Sequence, residues 1–273
     1  MDAPLPPMSA PISETEPETE TVAEPRASRV HRPVALVTGS TSGIGAAIAR
    51  RLAADGYAVI LHSRSSADVG RAMAREFGAA YVQADLADDT ERVRLIREAV
   101  AVHGRLDVLV NNAGVSRVIP HDDLAAATPD VWREMHEINV IAPFRLVAEA
   151  EAALREAASH GRAGCVVNVS SHAGVRPKGA SIPYAAAKAA LNHTTRLLAK
   201  TLAPAIRVNA VAPGLVDTPL TADWTEAQQL WRERAPMRRA ATPDDIAQTV
   251  AMLVASDYVT GEIVMLDGGM NLT

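Results

Sequence analysis

Tyr184-Ala-Ala-Ala-Lys188 sets a phenol and an ammonium four residues apart, on one face of any helix that contains them. A phenol ordinarily titrates near pH 10. A positive charge close by favours the phenolate and lowers that pKa, giving a proton donor and acceptor usable near neutrality. Alone, Tyr-x-x-x-Lys is common in amphipathic helices, as a surface Tyr beside a solvated Lys. Its company changes its weight. Ser171, in Asn168-Val169-Ser170-Ser171, lies thirteen residues upstream; Asn111-Asn112-Ala113-Gly114 and a glycine-rich turn precede it.

That turn is the second chemical feature. A short apolar run, 34–38, leads into Thr38-Gly39-Ser40-Thr41-Ser42-Gly43-Ile44-Gly45 and then into helical periodicity. Glycine permits a tight turn and a close approach of main chain to a pyrophosphate, while a helix start offers free N–H groups and a positive dipole end. After the first strand of a βαβ unit, such a turn points to a dinucleotide. The second strand ends in His62-Ser63-Arg64-Ser65. An NAD site usually places a carboxylate here for the ribose hydroxyls; this chain has Ser63, followed by a guanidinium suited to a 2′-phosphate. NADP(H) is favoured, with NAD(H) left open.

The elements that must position these residues alternate. Strands are expected over 34–38, 57–62, 79–83, 106–110, 165–169, 206–210 and 263–266. Helices are expected over 44–55, 69–77, 90–103, 183–202 and 243–256, with a long one from Pro129 to about His160 that Pro143 should bend or divide. Such β-α alternation implies right-handed crossovers and an α/β fold: one doubly wound Rossmann-type domain over 33–273, with a parallel sheet of about seven strands and helices on both faces.

Apolar residues make up 48% of the 273-residue chain, enough for a full core, but aromatics are only 3%. Ala, Val, Leu and Ile must therefore do the packing. Residues 1–32 are biased to Pro, Glu and Thr and are expected to form a disordered acidic tail, with neither the basic nor the apolar region of a secretory signal. Six acids and no Lys or Arg fall within residues 1–25, so the remainder holds 26 acids against 27 basic residues. A near-neutral body argues against nucleic acid and membrane partners. Cys165 is the single cysteine, which precludes an intrachain disulfide and fits a reducing, cytoplasmic setting. Among Val166, Val167 and Val169 it is expected to be a buried small hydrophobe. The histidines at 62, 103, 121, 136, 160, 172 and 193 lack metal-ligand spacing, and no metal is expected. His172 is expected to be a satisfied surface residue.

In order and spacing, Thr38-Gly-x-x-x-Gly-x-Gly45, Asn111-Asn-Ala-Gly114, Asn139, Ser171, Tyr184-x-x-x-Lys188 and Pro213-Gly214 resemble the short-chain dehydrogenase/reductase family. The likeness spans 33–273 and is narrowest to NADP-preferring members related to 3-oxoacyl reductases. It implies an oxidoreductase that moves a hydride between a nicotinamide and a carbonyl or secondary alcohol. Ser171 would donate a hydrogen bond to the carbonyl oxygen, Tyr184 would deliver the proton, Lys188 would bind the nicotinamide ribose and lower the tyrosine pKa, and Asn139 would hold a relay water. For the cofactor the resemblance implies Gly39, Ser40, Thr41, Ser42, Gly43, Ile44 and Gly45 at the phosphates, with Ser63 and Arg64 following. Asp85 and Leu86 would lie at the adenine, Asn111, Asn112, Ala113 and Gly114 along the adenosine side, and Pro213, Gly214, Val216 and Thr218 at the nicotinamide amide. A plainer role for Asp85 is a helix cap. Ser42 stands where some NADP-dependent relatives carry a basic residue.

Substrate choice should fall to 171–183 and to 217–237, the latter a mobile lid carrying Trp224, Trp231 and several arginines. Carrier-protein docking faces in the related reductases are basic; Arg145 would contribute to one, but 201–206 offers no second arginine, which counts against a dedicated acyl-carrier substrate. A free or CoA-linked 3-oxoacyl compound, a cyclic ketone, a sugar and a quinone stay open. Family members assemble as dimers or tetramers, and the Ala-rich 185–199 face and the 266–273 end are compatible with that. The alternative from another class is a non-catalytic NADP(H)-binding sensor or scaffold, which would have no need of Asn139, Ser171, Tyr184 and Lys188 together.

Overall fold

A computed structural model of the chain describes residues 32–273. The expected tail lies outside the described residues except for Arg32, whose guanidinium donates to the carbonyls of Gly56 and Tyr57. Seven parallel strands follow one another through helical crossovers: β1 (Val34–Val37), β2 (Ala58–Ser63), β3 (Ala80–Gln83), β4 (Val108–Asn111), β5 (Gly164–Val169), β6 (Ile206–Pro213) and β7 (Ile263–Leu266). Their order in the sheet is β3-β2-β1-β4-β5-β6-β7. The direction of winding reverses between β1 and β4. In open α/β sheets that crevice, at the carboxyl ends of the strands, is where ligands bind.

Continuous apolar runs make these strands. Every residue of β1, β4, β5 and β6 is buried, as a sheet covered on both faces requires. One face carries α1 (Gly43–Ala54), α2 (Ala67–Phe77) and α8 (Pro243–Ala255); its core includes Val37, Ile48, Leu52, Leu61, Val110, Ile246 and Val250. The other carries α3 (Asp89–His103), α5 (Ala142–Glu156) and α6 (Ile182–Leu202), packed through Leu36, Leu95, Leu109, Leu146, Leu154 and Val208. Each such fully buried Leu or Ile contributes about 1.5–3 kcal/mol. Alanines bring α1 and α8 close to the sheet, which explains how a chain so poor in aromatics fills its core. Cys165 is among the buried residues, as expected.

Element boundaries follow the sequence pattern to within a few residues, with one division worth following. The long helical stretch comprises α4 (Pro129–His136), a π-helical turn (Glu137–Ile141), α5, and a closing 3-10 turn (Ala157–His160). Pro143 has no N–H to return to the carbonyl four residues back. The register widens instead, and Ala142 donates to Glu137 five residues back. Asn139 sits in that turn. The segment expected to be a lid contains a further helix, α7 (Thr225–Arg234), which the charged sequence did not announce because none of its residues is buried. Among the described residues no helix is long and apolar enough to cross a membrane.

Candidate active site

The glycine turn is stapled from β4. Thr38 Oγ1 accepts the N–H groups of Asn112 and Ala113, each at 3.0 Å, and donates to the Val110 carbonyl. Asn112 Nδ2 returns to the carbonyls of Thr38 (2.9 Å) and Gly39 (3.1 Å). Gly39 and Gly43 adopt φ of +63° and +51°, the region that favours glycine. A Cβ on Gly45 would stand 2.3 Å from the Gly39 carbonyl oxygen, so α1 begins in direct contact with the turn. Thr41 and Ile44 are half-buried and Ser42 is exposed.

The start of α1 suits an anion. Ser42, at its N-cap, makes no side-chain bond, and the first turn holds no acid. By contrast Asp88 caps α3 and Thr242 caps α8. A helix N-terminus left uncapped beneath three glycines fits a dinucleotide pyrophosphate.

Along the adenosine side the expected residues divide. Arg64 is exposed beside an open groove of about 610 Å³ that Arg71, Gln83 and Asp85 also line. Asp85 is half-buried and accepts the Ala87 N–H at 2.9 Å; the helix cap is Asp88 instead. Ala113 lies against Gly39. Five side chains expected at the cofactor point into the protein. Ser40 Oγ is buried and accepts the His62 N–H, and Ser63 Oγ pairs with Tyr81 Oη at 2.8 Å. Leu86 and Val216 belong to the core. Asn111 is buried, donating to Asn168 Oδ1 at 2.9 Å. Any contact of these five with a dinucleotide is thereby left to their main chain.

The residues expected to carry the chemistry sit beyond the ends of β4 and β5. Ser171 follows β5 in an extended conformation, its Oγ accepting the Ala173 N–H at 3.1 Å and lying near enough to Tyr184 to favour the ionised phenol. Ser170, its neighbour, is buried and donates to the Lys188 carbonyl, so Ser171 is the serine that meets the tyrosine. Tyr184 opens α6 behind the N-cap Ser181 and packs against Val131, Met135 and Ala187. Burial pushes its phenol above the ordinary value, opposed by the Ser171 hydrogen bond. The expectation that Lys188 lowers this pKa is not met. Lys188 Nζ stands 5.9 Å from the Tyr184 ring centroid and donates to the Val169 carbonyl at 2.9 Å. Burial brings the lysine itself down to about 8.

Asn139 is fully buried and clamps the chain after β4: Nδ2 donates to the carbonyls of Val115 (3.0 Å) and Met135 (2.9 Å), and Oδ1 accepts the Val115 N–H. Gly114 must be bare, since a Cβ there would lie 2.9 Å from Asn139 Oδ1 and 3.5 Å from Lys188 Nζ. Across the crevice, Pro213 ends β6, and Gly214 donates to the Leu266 carbonyl. The loop beyond brings the Thr218 methyl within 3.4 Å of a Cβ built on Gly43, so the two segments expected at the cofactor face each other.

Two features escaped the sequence. His172 is buried rather than a satisfied surface residue: its Nε2 lies 3.5 Å from Asp267 Oδ2 without a hydrogen bond, and its ring stands edge-on to Trp231. Trp231 also presses on Gly214. His62 is the second, with Nδ1 accepting the Gly39 N–H at 3.1 Å. Helical spacing and motif order carry no signal for either contact.

Known proteins resemble the chain over this same stretch. The family model described as enoyl-(acyl carrier protein) reductase matches residues 39–271. A protein of Streptomyces violaceoruber assigned as ketoacyl reductase 2 of the granaticin polyketide synthase is 49% identical over 248 residues, 88% of this chain and 96% of that one. The cis-4-hydroxycyclohexanecarboxylate dehydrogenase of Sinomonas cyclohexanicum is 40% identical over 244 residues, 86% and 95% of the two chains. Among solved structures, a short-chain dehydrogenase of Burkholderia cenocepacia in complex with NADP matches at a TM-score of 0.80 and 36% identity, covering 89% of this chain and 99% of that one. Glycine turn, Asn139 clamp and Ser171–Tyr184–Lys188 group thus stand on a shared fold at high identity, and the chain belongs to the short-chain dehydrogenase/reductase family.

Proposed function

We propose that this chain is an NADPH-dependent ketoreductase acting on 3-oxoacyl compounds, with Tyr184 as the proton donor. The observation that carries the reading is Ser171 beside a half-buried Tyr184, with Lys188 one turn further along the same helix. NADPH, when bound, supplies the hydride. The Ser171 hydroxyl can donate to the carbonyl oxygen as negative charge develops there. Burial keeps the Tyr184 proton in place at neutral pH, so the residue starts as the acid that reduction needs. Lys188 would hold the nicotinamide ribose, and Asn139 fixes the π-helical turn and the chain at Val115. Arg64, with no acid at Ser63, supports NADP(H) over NAD(H). The reductase and dehydrogenase names of the relatives favour catalysis over a binding-only sensor.

The test is oxidation of NADPH and NADH by purified protein against a 3-oxoacyl thioester on CoA and on a carrier protein, a cyclic ketone and an enoyl thioester. Turnover of the 3-oxo substrate with NADPH is expected, reduced roughly 10²- to 10⁴-fold in Tyr184→Phe. Reduction of the enoyl compound alone, or tight NADPH binding without turnover of any carbonyl, would overturn the reading.

A cytoplasmic homo-oligomer, dimer or tetramer, completes the proposal. Trp132, Ile141 and Phe144 are exposed along α4–α5, and Tyr258 is 97% exposed near the C-terminal end, apolar surface that a second copy would cover. Light scattering on the intact protein and on Phe144→Glu checks it; a monomeric wild type would end it.

A further inference from the structure

His62, the last residue but one of β2, is 2% exposed. Its two ring nitrogens meet groups of fixed character. Gly39 offers an N–H to Nδ1 at 3.1 Å, and the Ala84 carbonyl can only accept, from Nε2 at 3.0 Å. The pair dictates one tautomer, Nδ1 bare and Nε2 protonated. Main-chain bonds add to the tie: His62 N–H donates to Ser40 Oγ at 2.9 Å, and Ser40 N–H to the His62 carbonyl at 2.9 Å.

The ladder pairs β2 with β3 up to Ser63 and Gln83, and β1 with β2 up to Val37 and Leu61; the His62 ring bridges from the glycine turn beyond β1 to Ala84 beyond β3, two segments that do not pair with each other. Gly39 opens the glycine turn, Ser63 and Arg64 follow His62 directly, and Ala84 precedes Asp85. We propose that His62 is a positioning residue for dinucleotide binding: its neutral ring orients the Gly39 peptide and sets the spacing between the glycine turn and the exit of β3. The proposal rests on the reading that this turn holds NADP(H). A cationic ring would set Nδ1–H against the Gly39 N–H, two donors facing each other, so the neutral form is required. Burial supplies it, bringing the imidazole down to about 4 although the bond to the Ala84 carbonyl and then the Asp85 charge pull the other way. The glycine turn carries no titratable side chain, and Tyr81 on β3 is engaged with Ser63.

Three variants separate the two ring contacts. In His62→Asn an amide oxygen falls near the place of Nδ1 and keeps an acceptor for Gly39. In His62→Gln an amide nitrogen falls near the place of Nε2 and keeps a donor for Ala84, and His62→Leu has neither. The Kd for NADPH, from ligand fluorescence, should rise about tenfold or more in the Gln and Leu variants and less than about threefold in the Asn variant, with kcat at saturating NADPH unchanged. Nitrogen NMR of the wild type should find a bare Nδ1 and a protonated Nε2 at neutral pH. Amide exchange at Gly39 should quicken in the Gln variant and not in Asn. Equal Kd across the wild type and all three variants would overturn the proposal, as would a protonated Nδ1 or a Gly39 amide indifferent to the substitutions. A wild type that binds no NADPH would instead remove the cofactor reading and this one with it. Should the Leu variant fail to fold, the Asn–Gln comparison decides.

Discussion

Lys188 donates to the Val169 carbonyl at 2.9 Å, tying α6 to the strand that precedes Ser171. The ammonium therefore acts first on the main chain beneath the site, and burial has already loosened its proton, to about 8. An anionic dinucleotide favours the charged lysine, so binding should draw a proton onto it above that pH. NADPH affinity is expected to weaken as pH rises through about 8. Lys188→Arg, which holds its charge, should flatten that limb. Kd measured across the range checks this, and a flat wild-type profile would refute it. The same shift has a stability sign. The unfolded lysine holds its proton to about 10.5 and the folded one does not, so stability gains with pH between about 8 and 10.5 from this residue. Above about 10 the raised Tyr184 opposes it, as the unfolded phenol ionises first.

Arg64 projects from the end of β2 with its carbonyl held by Gln83 Nε2 at 2.8 Å, so the backbone is fixed while the guanidinium stays exposed. A charge-assisted contact to a 2′-phosphate is worth about 1.5–3 kcal/mol. Arg64→Asp should therefore raise the Kd for NADPH roughly 10- to 150-fold and leave that for NADH within about threefold, or lower it. Parallel titrations of the two cofactors decide it; equal losses for both would mean that Arg64 does not read the phosphate.

The fold and the core of the site were legible because both rest on periodicity. Val/Ile runs gave the seven strands, and the four-residue spacing of Tyr184 and Lys188 holds on α6. What escaped depends on which way a side chain points at the mouth of a strand. Ser40, Ser63, Leu86, Asn111 and Val216 lie in segments expected at the cofactor yet face inward, and motif spacing does not distinguish main-chain from side-chain contact. The tyrosine pKa went the other way for a related reason: the pairing with Lys188 is visible in sequence, whereas Val131 and Met135, which help to bury the phenol, come from α4. His62 and His172 were passed over because their partners, Gly39, Ala84 and Asp267, lie far along the chain.

Gly45 is the least replaceable residue of the turn. An added Cβ would meet the Gly39 carbonyl oxygen at 2.3 Å and Asn112 Nδ2 at 2.4 Å, and the first of these is backbone that cannot swing aside. Gly45→Ala must push α1 off the turn or break the Asn112 staple. A loss of about 1–3 kcal/mol in stability is expected, together with a Kd for NADPH raised at least about tenfold. Denaturant melts and NADPH titration measure the two effects. Wild-type values for both would show that the turn is slacker than these contacts require.

Trp231 is where substrate choice should be felt without disturbing the cofactor. Its ring edge lies against Gly214 and meets the His172 ring edge-on at 6.3 Å, with an interplanar angle of 81°. It thereby joins α7 to the loop beyond Ser171 and to the end of β6. Aromatic pairs in this geometry add about 0.5–1.5 kcal/mol beyond the area they bury. In Trp231→Ala the helix loses its anchor on the cleft, while Gly39–Gly45, Arg64 and Lys188 keep their contacts. The KM for the carbonyl substrate should rise several-fold or more, and the Kd for NADPH should stay within about twofold. Trp231→Phe, which keeps an aromatic edge near His172, should recover most of the loss. A Trp231→Ala variant with unchanged carbonyl KM, or with NADPH binding lost in equal measure, would place the substrate pocket elsewhere.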